Sequence, residues 1–276
     1  MTALALPVTE PRARFLDLVS AEWWKLWSLR STGWSLLVAA LSVIGFNAGQ
    51  AWDHYRYWNA YDEGSRVAFV RDGMALWDAF NGNAVLVMML AAAGIGAMAI
   101  AGEYSSGSIR TTFAAVPARR SVMTAKVLVT ALVLAGFGAV VATVSFWATQ
   151  AILSVHGAGL PITHPGALRI VVASALLAPV SGLVGMAFGT VLRSGPAAIV
   201  ASVVVLLLLP AVTSEKRYWS AVLAHVQLQP AWERLIQTGD WPAPFPWTTG
   251  GAWLVYGAWA LGAALVTVLA VRRRDQ

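Results

Sequence analysis

The sequence predicts an all-α integral membrane protein of six transmembrane helices, with an interfacial amphipathic helix at its N-terminus and both termini cytoplasmic. Three observations carry that reading. Of 276 residues, 58% are hydrophobic and only 12% are charged, whereas a soluble domain carries about 25% charged residues. Six stretches are apolar and free of charge, each close to the roughly 20 residues a spanning helix needs, within a range of about 17–25. Basic residues also gather on one side of those stretches. The expected organisation is a cytoplasmic segment over residues 1–32 containing the amphipathic helix, then one six-span membrane domain over residues 33–276.

The first element is RARFLDLVSAEWWKLWSLR, Arg12 to Arg30. At 3.6 residues per turn, Arg14, Asp17, Ala21, Lys25 and Ser28 share one face, and Phe15, Leu16, Val19, Trp23, Leu26 and Trp27 the other. Tryptophans and basic residues beside a span suit a helix lying in the headgroup layer. Trp23, Trp24, Lys25 and Trp27 are its expected anchors. The preceding MTALALPVTEPRARF lacks the cationic start and short apolar core of a signal peptide, so the first apolar run is expected to remain in the mature protein.

The spans are expected at Gly33–Ala51, Ala84–Ala101, Val127–Ala151, Ile170–Leu192, Ala197–Thr213 and Gly251–Val271. Pro196 suits the first turn of the fifth, and Pro179 is expected to kink the fourth. The four residues from Arg193 to Pro196 make spans four and five a hairpin. Ser181, Gly185 and Gly189 line one face of the fourth span, and Ala93, Ala97 and Ala101 one face of the second. Such faces let helices approach closely in lipid, either within the chain or between subunits.

With the N-terminus in the cytoplasm, twelve of the nineteen basic residues lie inside, against five of the thirteen acids. That bias, reinforced by Arg272, Arg273 and Arg274, agrees with the positive-inside rule. The net charge of +6 is thus read as a distribution across a bilayer and not as a nucleic-acid surface. Two outer segments, 52–83 and 214–250, mix aromatic and charged residues. They are read as short interfacial helices and turns that hold Trp and Tyr at headgroup depth.

Several classes of chemistry are disfavoured. No cysteine is present, which removes disulfides and thiolate chemistry. A charge at mid-bilayer costs roughly 2.5–3.5 kcal/mol on insertion scales and is kept where it is used. The spans hold none, only Asn47, Gln50, Gln150 and scattered hydroxyls, so a proton relay or side-chain ion site is not expected. Lys25, Lys126 and Lys216 come directly after Trp24, Ala125 and Glu215, so no glycine precedes a lysine as a P-loop requires. His54, His156, His164 and His225 show no i, i+4 pair or H-E-x-x-H motif, and Asp53 beside His54 is read as a solvated loop pair. No G-x-S-x-G occurs. Work done by this chain must therefore come from a partner.

One polar stretch interrupts the spans: GEYSSGSIRTTFAAVPARRSVMTAK, Gly102 to Lys126. Glu103 closes the second span, where an acid opposes the helix dipole and needs compensation. Arg110, Arg119, Arg120 and Lys126 are the available cations. Gly107 permits a sharp bend, and Ser105, Ser106 and Ser108 can cap a short helix after it. IRTTFAAV makes about two helical turns before Pro117 stops it. A short helix on the cytoplasmic face is expected. Interfacial arginines and lysines can also serve only to neutralise lipid phosphates.

The pattern Glu103–x3–Gly107–x–Ile109–Arg110, then Pro117–x–Arg119, then Lys126 opening a span, resembles the inner loop of type-2 ABC transporter permeases. Ala21 to Leu37 resembles the amphipathic connecting helix and first span of that family's shorter bacterial members. The resemblance implies a permease subunit without an ATPase site of its own, in the bacterial plasma membrane and active as an exporter. It implies a second permease copy, homo- or heterodimeric, and cytoplasmic ABC ATPase subunits that hydrolyse the ATP. It implies no cofactor bound by this chain. Glu103, Gly107, Arg110, Pro117, Arg119 and Lys126 are then positions of the loop that couples to the ATPase. A non-transporting membrane scaffold or immunity-type protein, and a stand-alone carrier, are the alternatives.

Overall fold

The structure is a computed structural model that describes residues 13–214, 216–238 and 244–274. Arg12, and residues 239–243 of the second outer segment, lie outside them, as do the side chains of Arg272, Arg273 and Arg274. The described residues contain helices and no strand. Helix α1 is Phe15–Ser28, α2 Arg30–Tyr57, α3 Glu63–Arg71, α4 Met74–Asp78, α5 Gly82–Ser106, α6 Ser108–Ala115, α7 Arg119–Ser154 and α8 Ala167–Leu192. The fifth span, α9, is Gly195–Val212. Then come α10 at Tyr218–His225, α11 at Leu228–Ile236 and α12 at Thr249–Arg274. Six helices are long and apolar enough to cross a membrane: α2, α5, α7, α8, α9 and α12. Five of them contain an expected span and extend it, because the polar residues at their ends continue the same hydrogen-bond ladder past the apolar core; α9 starts two residues earlier than expected and stops at Val212, one residue short of the expected Thr213. The 36 residues of α7 reach about 54 Å at 1.5 Å per residue, well beyond a hydrocarbon layer of ~30 Å.

Helix α8 is central. Its most apolar stretch is 72% buried inside the chain, against 22% for α2 and α12 and 17% for α9. Lipid-like surroundings supply no hydrophobic drive between helices, so close packing must hold them. Missing side chains allow it. A Cβ on Gly96 of α5 would collide with the carbonyl of Gly182, one on Gly185 of α8 with the carbonyl of Ala93, and one on Gly138 of α7 with the carbonyl of Ala175. Gly189 meets Ala97 in the same way. The small-residue faces of the second and fourth spans therefore pack on each other within the chain. Pro179 lies inside α8, which stays helical through it. Lacking an N–H, it cannot bond the Ala175 carbonyl four residues back; that carbonyl is the one pressed against Gly138.

The other interior proline shifts the ladder of α9. Residues Val204–Leu208 form a π turn, with the Leu209 N–H donating to the Val204 carbonyl, directly before Pro210. Pro196 occupies the first turn of α9 as expected. The hairpin into α9 turns on Arg193, which holds a left-handed φ of 54°.

The polar residues of the spans are internal staples. Asn47 donates to the Ser145 hydroxyl at 3.1 Å and accepts from the Asn81 N–H at 3.0 Å, which ties α2 to α7 and to the cap of α5. Gln150 donates to the Ala75 carbonyl and accepts from the Leu160 N–H, both at 2.8 Å. A cavity of about 10 Å³, room for one water, lies beside Asn47 and Ser145.

Two expectations at the far end of the bundle, away from α1 and α6, are corrected. Trp232 does not lie on the protein surface. The amphipathic α11 turns it inward, 2% exposed, and its indole N–H donates to Ser174 of α8 at 3.0 Å. His54 is not in a loop with Asp53, because α2 runs on to Tyr57. It faces the buried Asp78 at 3.4 Å and the Tyr61 hydroxyl at 3.0 Å.

The close approach of α5 and α8 makes a prediction. Gly185→Ala forces the helices apart and costs about 1–3 kcal/mol, the usual range for overpacking. Gly45→Ala, where a Cβ meets nothing within 4 Å, costs nothing. Thermal unfolding of the two variants in detergent tests this; equal midpoints would show that the carbonyl contact does not limit packing.

Candidate functional site

The polar loop folds as its residues dictate. Helix α5 ends at Ser106, and Gly107 adopts φ 73° and ψ 0°, a left-handed conformation that glycine takes without steric penalty. The cap position of α6 is Gly107 itself, and the Ser106 hydroxyl accepts from the Ser108 N–H at 3.5 Å. Ser105 and Ser106 also donate back to the Gly102 carbonyl at 3.0 and 2.8 Å. Helix α6 runs for eight residues and ends before Pro117, and α7 begins at Arg119.

Four charged side chains meet where α1, α5, α6 and α7 converge. Lys126 of α7 donates to Glu22 of α1 and, at 2.8 Å, to Glu103 Oε1 of α5. Lys25 of α1 donates to Glu22 Oε1 at 3.0 Å and to the same Glu103 Oε1 at 3.1 Å. Lys25 also reaches the Thr112 hydroxyl of α6 at 3.4 Å. Two carboxylates and two ammonium groups thus close a neutral quartet. Beside it, Leu18, Val122 and Ala125 form a small buried cluster with Val19, Phe113 and Val116 packed on it. Glu22 is 5% and Lys126 3% exposed, so neither can be left without its partner.

The compensation that Glu103 requires at the end of α5 therefore comes from Lys126 and Lys25. Arg110 and Arg120 are exposed and form no ion pair among the described residues, while Arg119 lies over the Phe113 ring at 5.3 Å. Lys25 reaches Glu22 and Glu103 while 41% of its side chain stays exposed. The seam of α1 against the bundle is Leu18, Glu22 and Leu26. Phe15, Leu16, Trp23, Trp24 and Trp27 are exposed, and the rings of Trp23 and Trp27 stand 5.8 Å apart. Sequence reasoning missed Glu22. Its signal was an acid spaced four residues from Leu18 and four from Leu26, in line with the buried stripe.

Burial pulls the Lys25 ammonium down, but the hydrogen bond and charge of Glu22, then those of Glu103, outweigh it and hold it above its ordinary value of 10.5. What Lys25 contributes to stability is therefore whole below pH 10.5 and fades only as pH rises past the raised value.

The family model of the ABC-2 family transporter protein matches residues 36–237. The chain belongs to the ABC-2 transporter family. It is a multi-pass membrane component of an ABC transporter, and membership implies partnership with an ABC ATPase subunit. No curated protein matches the chain. The matched stretch holds most of the first span and all of the second to fifth, together with Glu103, Gly107, Arg110, Pro117, Arg119 and Lys126. Glu22, Lys25 and the tryptophans of α1 precede it. In this ABC-2 protein the ionic quartet therefore joins the family stretch to a helix outside it.

Lys126→Met leaves two carboxylates facing Lys25 alone and costs about 3–5 kcal/mol, the range for breaking a buried pair. Glu22→Gln with Lys126→Met recovers more than half of that. Lys25→Met, whose side chain is 41% exposed, costs no more than about 1 kcal/mol because solvent screens it. Chemical unfolding in detergent checks the cycle; strictly additive losses would mean the four groups do not act together.

Proposed function

We propose that the chain is the permease subunit of an ATP-driven exporter in the bacterial plasma membrane. It works as a pair with a second permease copy, and two cytoplasmic ABC ATPase subunits hydrolyse the ATP. The segment 102–126 receives the ATPase stroke. The chain itself binds no cofactor and is not an enzyme.

The observation that supports this reading is the quartet. A helix that receives force from a partner must not slide against the spans. Thr112 ties α6 to Lys25, and the two glutamates and two lysines tie α1 to the ends of α5 and α7. Both spans then continue into the close-packed core, α5 against α8 and α7 against α8. Displacing α6 therefore drags three helices as a unit.

The loop residues divide the work. Gly107 sets the turn from α5, Pro117 ends α6 so that α7 can start at a fixed angle, and Arg119 stiffens α6 by lying on Phe113. Glu103 and Lys126 lock the loop to the spans. Arg110, exposed on α6, is the cation offered to an acidic groove on the ATPase. Trp23, Trp24 and Trp27 hold α1 at headgroup depth, so that it moves in the membrane plane and does not dissociate.

Arg110→Glu separates contact from folding. Arg110 forms no ion pair among the described residues, so the variant unfolds at the same temperature as the wild type. Reversing one charge of an interfacial pair costs about 2–5 kcal/mol, so co-purification of the ATPase falls by more than about tenfold. Substrate accumulation in vesicles falls with it. Unchanged association and transport in Arg110→Glu would remove α6 as the contact.

A further inference from the structure

A second cluster of charge lies at the far end of the bundle, and the proposed function does not use it. Arg169 stands in the first turn of α8, and Arg234 in α11. Arg169 Nη2 donates to the Gln237 backbone carbonyl at 2.6 Å, and Arg234 Nη1 to the Gln237 side-chain oxygen at 3.1 Å. One residue thus holds both guanidinium groups, which lie within Coulombic reach of each other. Arg234 Nε is spent on the Trp247 carbonyl at 2.7 Å. Each of these acceptors is neutral. Neither arginine forms an ion pair among the described residues, and Arg169 Nε is shut off from solvent without any acceptor among them.

The site is anchored, not floppy. Thr238, next to Gln237, donates to the Asp72 carbonyl and accepts from the Trp77 indole, each at 3.1 Å. The Asp72 carboxylate is given to Arg71, at 2.7 and 3.1 Å. Two like charges held together by neutral carbonyls repel. The fold keeps them in place with donors left over: Nη1 of Arg169 and Nη2 of Arg234 make no hydrogen bond among the described residues. Paired planar forks with spare N–H groups match the oxygens of a phosphate, which accept two such forks at once. Tyr218 and Trp219 of the neighbouring α10 are 58% and 79% exposed, as aromatics at headgroup depth are.

We propose that Arg169 and Arg234 form a binding site for a phosphate-bearing anion at this end of the bundle, either the headgroup of an anionic phospholipid or a free phosphate group. In the orientation given by the positive-inside bias, it faces the outer leaflet. Filling it removes the repulsion and fastens α11 to the start of α8.

The test is arginine-specific modification by phenylglyoxal of the full-length protein in vesicles, read residue by residue by mass spectrometry. Arg71, exposed at the same end, is the internal reference. In phosphatidylglycerol vesicles, modification of Arg169 and Arg234 falls about tenfold relative to phosphatidylcholine, while Arg71 changes little. Adding inorganic phosphate to the phosphatidylcholine vesicles distinguishes the sources: protection there identifies a site for free phosphate, and its absence a headgroup site. Arg169→Gln with Arg234→Gln retains several-fold less phosphatidylglycerol after purification. Because the wild type supplies the first readout, the test does not depend on the double variant folding. Asp240, which lies outside the described residues, is tested as a built-in counter-ion. The proposal is overturned if neither anion protects the pair, if protection merely equals that of Arg71, or if it appears only in Asp240→Asn.

Discussion

Two carboxylates and two ammonium groups that cannot be separated fix the end of this molecule that carries α1 and α6. Each ion stands where it would be unfavourable alone. Glu103 opposes the dipole of α5, and Glu22 and Lys126 are almost wholly removed from water. Together they are neutral, and removing any one strands a buried partner, so the ions tie α1, α5 and α7 to one place while Thr112 adds α6 by a hydrogen bond. A mobile loop thereby becomes a rigid part of the bundle.

The membrane core uses the opposite means. There are no charges to pair, and burying apolar surface gains little in lipid. Helices α5, α7 and α8 are held by backbones that touch, with carbonyls pressed against positions that carry no Cβ. Such contacts are short-ranged and tolerate little sliding. The same two helices, α5 and α7, take part in both devices: one end is locked by charge and the length by close packing. A push at α6 therefore reaches α8 without passing through a flexible joint. Helix α9, mostly unburied and interrupted by a π turn before Pro210, is the span least constrained by this chain.

The two charged clusters differ in how they are closed. Within the quartet, two acids and two bases are matched one to one. At the far end, Arg169 and Arg234 are held by neutral oxygens. A cluster that closes its own charges suits force transmission within a protein. A cluster with donors left over suits a ligand brought from outside.

Much of this was legible in the sequence. The spans could be read from charge-free runs, since hydrocarbon excludes unpaired backbone and charge alike. Gly107 and Pro117 marked the limits of α6, because glycine and proline restrict the backbone locally whatever surrounds them. The spacing of small residues on the second and fourth spans marked the packing faces. What the sequence could not show is which charges meet. Glu22 and Lys126 are 104 residues apart, and no local rule links them. Trp232 misled, since an indole N–H with a partner such as Ser174 no longer needs the interface. Local backbone chemistry and solvent exclusion were therefore written in the chain, and the pairing of ions and donors was decided only when distant helices came together.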